Sequence, residues 1–188
     1  MNDTIKRVRL PEPWLRGTFS DIPAVQRAVL HALELAREDL ERWCGELTDA
    51  ELSARPSGLP PVAFHLRHIA RSLDRLLTYA EDRGLNDEQL AALATEMEAE
   101  ATSAQLFAEL GNAFNRSCER ILHLDAKLVE EKRTVGKRQL PTSLGGLLVH
   151  IADHTQRHVG QAVTTAKVLF AQRQHPDEDR RTGSRTSK

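Results

Sequence analysis

The sequence predicts an all-α protein, a four-helix bundle with an extended N-terminal segment and a mobile C-terminal tail. Four long segments repeat apolar residues every three or four positions, the spacing that gathers them on one helical face. Ala and Leu dominate while aromatic residues are only 4% of the chain, which favours helices over sheets. No strand signal is found and no internal period recurs, which argues against a sheet and against a helical repeat array.

The boundaries follow from local punctuation. Residues 1–20 hold Pro11, Pro13 and Gly17 without periodicity and read as an extended lead-in. The bundle is expected over 21–171. Its first helix, about 22–46, has Asp21 or Ser20 as a cap and Pro23 in its first turn, where proline is tolerated. Its apolar stripe is Ile22, Val25, Val29, Ala32, Ala36, Leu40, Trp43 and Leu47. TDAEL then reads as one helical turn, broken by RPSGLPP. A second helix is expected over 62–83, with Val62, Leu66, Ile69, Leu73, Leu76 and Ala80 inside and Gly84 as its stop. Asn86 caps a polar, alanine-rich stretch that forms a short helix or the start of the next one. The third core helix, 103–129, carries Leu106, Leu110, Phe114, Ser117, Ile121 and Leu128. TVGKRQLP is read as a loop. Thr142 or Ser143 caps the last helix, 143–171, and Gly145-Gly146 lets its start pack closely against a loop. The four helices are expected to pack mostly antiparallel. The tail, 172–188, lacks apolar periodicity.

Composition removes several function classes. No apolar run approaches the ~18 residues of a membrane span. The opening MNDTIKRVRLPEPW lacks the apolar core of a secretory signal, so a cytoplasmic location is expected. With 26 Lys+Arg against 27 Asp+Glu, the net charge of −1 argues against nucleic-acid binding. Cys44 and Cys118 are too distant for a CxxC metal site and imply no disulfide framework.

Chemistry is concentrated in the histidines. Five of the eight fall in two clusters: His65 and His68 in FHLRHIA, and His150, His154 and His158 in LLVHIADHTQRHVGQ. The last helix's stripe reads Leu144, Leu147, Ile151, His154, His158, Thr165 and Leu169. His154 and His158 thus take inward positions expected to hold leucine. Four residues is just over one turn, so both imidazoles share one face at a spacing that chelates a metal ion. Two buried imidazoles without a shared partner would lose hydrogen-bonding energy, which a metal restores. On the second helix, periodicity alone does not choose between His65 and His68. The protease signature HExxH is absent, because Thr155 stands where its glutamate would be, and no Glu-x-x-His of a di-iron bundle occurs. Glycine-rich phosphate loops are also missing. Cys118 reads as a small core residue rather than a nucleophile.

The pair FHLRHIARSLDRLLTYA and LPTSLGGLLVHIADHTQRHVGQAVTTAK resembles the DinB-like superfamily of four-helix-bundle metalloproteins, which includes bacillithiol transferases and, more distantly, mycothiol-dependent enzymes. The resemblance spans about residues 22–170. It implies one divalent ion held by His68, His154 and His158, with His65 and His150 as pocket or supporting residues. Gln161, one turn beyond His158, could then hydrogen-bond a ligand. Arg67, Arg71 and Arg157 are candidates for anchoring a carboxylate and equally fit a solvated surface. Zinc is the expected metal, with nickel or iron as alternatives. By resemblance the expected function is a metal-dependent thiol S-transferase or hydrolase that activates a low-molecular-weight thiol or water against a small-molecule electrophile. The alternative is a stress-related metal-binding bundle without turnover. A homodimer is compatible with the family; nucleic-acid and membrane partners are not expected.

Overall fold

Helix α1 (Ala24–Cys44) buries Val29, Leu30, Leu33, Ala36 and Leu40 along one face. Behind it come α2 (Asp49–Ser53), α3 (Val62–Ala80), α4 (Asp87–Ala94), α5 (Ser103–His123), β1 (Lys132–Val135), β2 (Leu140–Ser143) and α6 (Leu144–Gln174). The computed structural model describes residues 10–97 and 101–174. Among these, no helix is long and apolar enough to cross a membrane. The four long helices, α1, α3, α5 and α6, enclose one core. Leu66, Leu73, Leu110, Phe114, Ile151 and Leu169 are all buried, as the 3.6-residue register requires.

The order around the bundle is α1, α6, α3, α5, so α1 and α3, and likewise α5 and α6, stand on diagonals, while α3 and α5 are neighbours. Direction follows from cross-helix bonds. Gln26, early in α1, donates to the carbonyls of Ile121 and Leu124 at the end of α5 (2.7 and 2.8 Å), so that pair is antiparallel. Gln156 donates to the Ala32 carbonyl (2.7 Å) and Lys167 lies over the Trp43 ring (4.4 Å), so α1 and α6 run in the same direction. Arg71 meets Glu109 and Arg120 meets Asp74, which makes α3 and α5 parallel as well. Two of the four neighbouring pairs are therefore parallel, which corrects the expectation of mostly antiparallel packing. Long connections permit it.

Several element ends also differ from the sequence reading. Pro23 occupies the α1 cap position without a side-chain hydrogen bond, so neither Asp21 nor Ser20 caps it. Helix α3 stops at Ala80, where Glu81 and a left-handed Asp82 (φ 58°) turn the chain before Gly84. Helix α5 stops at His123; Leu128 lies in a separate turn and is 40% exposed, outside the core. The expected loop 134–141 belongs to an antiparallel hairpin in which Val135 pairs with Leu140 and Lys132 with Ser143. Its strands are four residues long and bury no side chain fully, too short for alternation to register, and Gly136 (φ 72°) opens the turn. Ser143 Oγ accepts from the Gly146 amide (3.1 Å) as the cap of α6. A Cβ on Gly145 would stand 3.0 Å from the Val129 carbonyl, the close helix-to-loop approach expected of that glycine pair. Helix α6 continues to Gln174, three residues past the expected end; the rest of the tail and residues 1–9 lie outside the described residues. The lead-in has local structure: Pro13–Leu15 form a 3-10 turn, and Arg16 reaches Glu34 (3.0 Å) and Glu38 (2.6 and 2.8 Å) on α1.

The C-terminal end of α6 is tied to the α1–α3 connection by Arg173, which donates to both oxygens of Glu51. Glu51 also completes the Thr48 capping box of α2. Arg173 above all, and then the Thr48 bonds, hold the Glu51 carboxyl down to about 2 against burial. A carboxyl lowered on folding stabilises above its unfolded pKa of 4.5 and loses that contribution as pH falls towards 2. Glu51→Gln is therefore expected to be less stable than wild type at pH 7 by roughly 0.2–1 kcal/mol, the range of a solvated ion pair. The difference should shrink between pH 4.5 and 2 in thermal melts of the two proteins.

Candidate metal centre

Because α3 and α6 are antiparallel neighbours, rising numbers on one meet falling numbers on the other. His65 therefore faces His158 (Nδ1 to Nδ1, 3.1 Å) and His68 faces His154 (Nε2 to Nε2, 2.9 Å). His68 and His158 are also in ring contact, centroids 4.2 Å apart, as are His154 and His158 at 4.7 Å. One nitrogen from each of His68, His154 and His158 lies within 4.8 Å of the other two, and all three side chains are partly exposed. His65 is buried at 1% exposure and backs the group from inside. His150 is exposed, its ring 5.3 Å from that of His154. Gln161 is exposed on the same helix, beyond His158.

The stripe assigned to the last helix needs correction. The buried line of α6 runs through Ile151, Thr155, Val159, Ala162, Thr165 and Leu169, so His154 and His158 sit on its shoulder, not in its centre. That position suits a site. The imidazoles leave the core to aliphatic side chains and turn towards α3, within reach of solvent.

Burial is the main cause of the electrostatics here. It lowers His65 and His154 to about 4 and His158 to about 3, with neighbouring imidazoles adding to each shift. These three are neutral at pH 7, the form in which an imidazole offers a lone pair. Two bare nitrogens at 2.9 Å repel, so the His68–His154 contact requires a proton or a cation between them. The Nε2 of His65 is buried with no hydrogen-bond partner among the described residues.

Two residues of this region are invisible in the sequence. Glu96, just beyond α4 and only 6% exposed, accepts from His68 Nδ1 (2.7 Å), and Arg75 donates to its other oxygen. Burial raises the Glu96 carboxyl, but the bonds from His68 and Arg75 outweigh it and leave the group below its ordinary value. Glu96 is one acid among several in DEQLAALATEMEAEA, and no spacing marks it. Phe64, one position before His65, stacks on His68 (5.4 Å between centroids) and meets His65 edge-on (5.1 Å). The three arginines have structural partners. Arg71 donates to Glu109 (2.9 Å), the Ala92 carbonyl (2.6 Å) and Thr95 Oγ1 (2.9 Å), Arg67 Nε is 4.0 Å from Glu109, and Arg157 pairs with Asp153 one turn away (2.5 Å).

The family model of the DinB superfamily matches residues 32–162. No curated protein matches the sequence. Among solved structures the chain is similar to YfiT from Bacillus subtilis, described as "a probable metal-dependent hydrolase with an unusual four-helix bundle topology". The TM-score is 0.58 at 15% identity, over 77% of this chain and 87% of that one. The likeness shows a shared fold.

The hydrogen bonds fix which nitrogens carry protons. A carboxylate only accepts, so His68 must hold a proton on Nδ1, and a neutral His68 then accepts at Nε2 from the Nε2–H of His154. Nitrogen-15 correlation spectra of metal-free protein at pH 8 are expected to show His68 as the Nδ1–H tautomer and His154 as Nε2–H. The opposite tautomers would contradict this geometry.

Proposed function

The chain belongs to the DinB superfamily, and from that premise we propose that His68, His154 and His158 bind one divalent metal ion at a centre that activates a small nucleophile. The observation that supports this best is the convergence of three imidazole nitrogens, from two antiparallel helices, within 4.8 Å. The donor set suits zinc, nickel or ferrous iron, all of which accept imidazole. The close His68–His154 contact also suits a cation between the two rings.

Three neutral ligands would leave such an ion its full charge and an open position, so that water or a thiol loses its proton near neutral pH. The protein's own groups do the rest. Glu96 sets the proton on His68, leaving Nε2 free as a donor atom. His65 supports the His158 ring through Nδ1. Phe64 covers one face of His68 and limits water on that side. The partial exposure of all three ligand side chains leaves a route to solvent, which favours a reacting site over a purely structural one. On this reading the protein is a metal-dependent S-transferase or hydrolase, and its substrates are a low-molecular-weight thiol or water and a small electrophile.

The test is physical before it is enzymatic. Metal binding to the folded chain adds to its stability, so a chelator is expected to lower the wild-type melting temperature by several degrees. His154→Ala, lacking one ligand, should show little response to chelator, whereas His150→Ala should respond like wild type. Elemental analysis after anaerobic purification is expected to give one ion per chain. A wild type that takes up no zinc, nickel or iron and melts identically with chelator would reduce the cluster to a packing feature.

A further inference from the structure

The chain Arg75–Glu96–His68 links the histidine cluster to a segment outside the four core helices. Glu96 follows α4 and is nearly buried, with one oxygen on His68 Nδ1 and the other held by Arg75. The same segment is pinned to α3 at two more places. Arg71 donates to the Ala92 carbonyl and to Thr95, and Gln89 donates to Asp74 (2.6 Å) and Thr78 (2.8 Å). Every one of these α3 partners is polar, and α4 buries no side chain of its own. The segment is therefore held by hydrogen bonds and ion pairs, with little apolar burial to fix it in place.

We propose that Glu96 is a positioning residue for the metal centre, and that docking of residues 87–97 on α3 and metal binding are coupled through its bond to His68. The inference rests on the metal-binding reading above. A carboxylate on the outer nitrogen of a ligating histidine fixes ring and tautomer and makes the inner nitrogen more basic. Removing such a partner typically costs 10–100-fold in metal affinity. Coupling between two binding events is reciprocal, so the affinity that Glu96 lends the metal returns as tighter docking of its own segment when metal is bound. A carboxylate that served only to satisfy Arg75 would do neither.

The experiment compares full-length wild type, Glu96→Gln and Glu96→Ala. Zinc affinity is read by competition with a chromophoric chelator, and amide hydrogen exchange over 87–97 is measured with and without zinc. Circular dichroism confirms that each variant is folded. Glu96→Ala is expected to bind zinc 10–100-fold more weakly than wild type. Glu96→Gln, whose amide oxygen still accepts from Nδ1 but carries no charge, should lose less. Zinc should slow exchange over 87–97 in wild type and have a much smaller effect in Glu96→Ala. Equal zinc affinity in all three proteins overturns the proposal, as does exchange in wild type that ignores zinc. Wild type that binds no zinc, nickel or iron at all removes the metal centre itself, an outcome distinct from the other two.

Discussion

Helices α3 and α5 run in the same direction, and that single constraint organises the region around the histidines. A chain leaving α3 at Glu81 must travel back along the bundle before it can begin α5 at Ser103. Helix α3 has 19 residues and is about 28 Å long, a distance no tight turn can span. The connection between them must therefore lie along the outside of the bundle. Its described part does so against α3, held by Arg71, Arg75, Asp74 and Thr78. One carboxylate of that crossing meets His68. The topology that looks wasteful in chain length is what supplies the histidine cluster with its acidic neighbour.

The antiparallel pairing of α3 with α6 supplies the other half. Two helices presenting histidines at i, i+3 and at i, i+4 bring them into one layer only if their registers match, and their direction then decides which histidine meets which. Here His65 meets His158 and His68 meets His154. Register is set below the cluster by aliphatic packing of Leu66, Ile69, Ile151 and Val159, all essentially buried. Each fully buried Leu or Ile contributes roughly 1.5–3 kcal/mol. The polar cluster is thus placed by apolar neighbours that hold no chemistry, and small shifts in their packing would separate the imidazoles.

What the sequence made legible and what it hid divide along a physical line. Helix existence was legible because burial on one face imposes a 3.6-residue period, and Leu66, Leu73, Leu110, Phe114, Ile151 and Leu169 obey it. The adjacency of His154 and His158 was legible for the same reason. Periodicity is local, however, and carries no information about which helices touch or in which direction they run. The parallel α1–α6 and α3–α5 pairs were hidden by that. So was Glu96, whose partner His68 lies 28 residues away and which the sequence shows only as one acid among several. The hairpin escaped because four-residue strands with no fully buried side chain impose too little alternation on the sequence. The misplacement of His154 and His158 in the centre of the α6 stripe came from a different source: Thr155 is buried there, and a threonine is a weak signal for a core position.

The cluster itself runs against stability, and that bears on why such residues stand where they do. Four imidazoles share a half-buried layer, three of them forced neutral by burial and by one another. The buried His65 Nε2 has no partner among the described residues, a desolvation cost of about 1–3 kcal/mol. Aliphatic side chains at the same positions would continue the core that Leu66 and Ile151 already form, with no such cost. Local rules are broken in this way where a site must be kept ready for a ligand. The neighbours accommodate the breach: Phe64 stacks on His68, Glu96 accepts from the same ring, and the aliphatic line of α6 passes beside the histidines without including them. Here their nitrogens converge, and only a shared proton or a shared cation satisfies that arrangement.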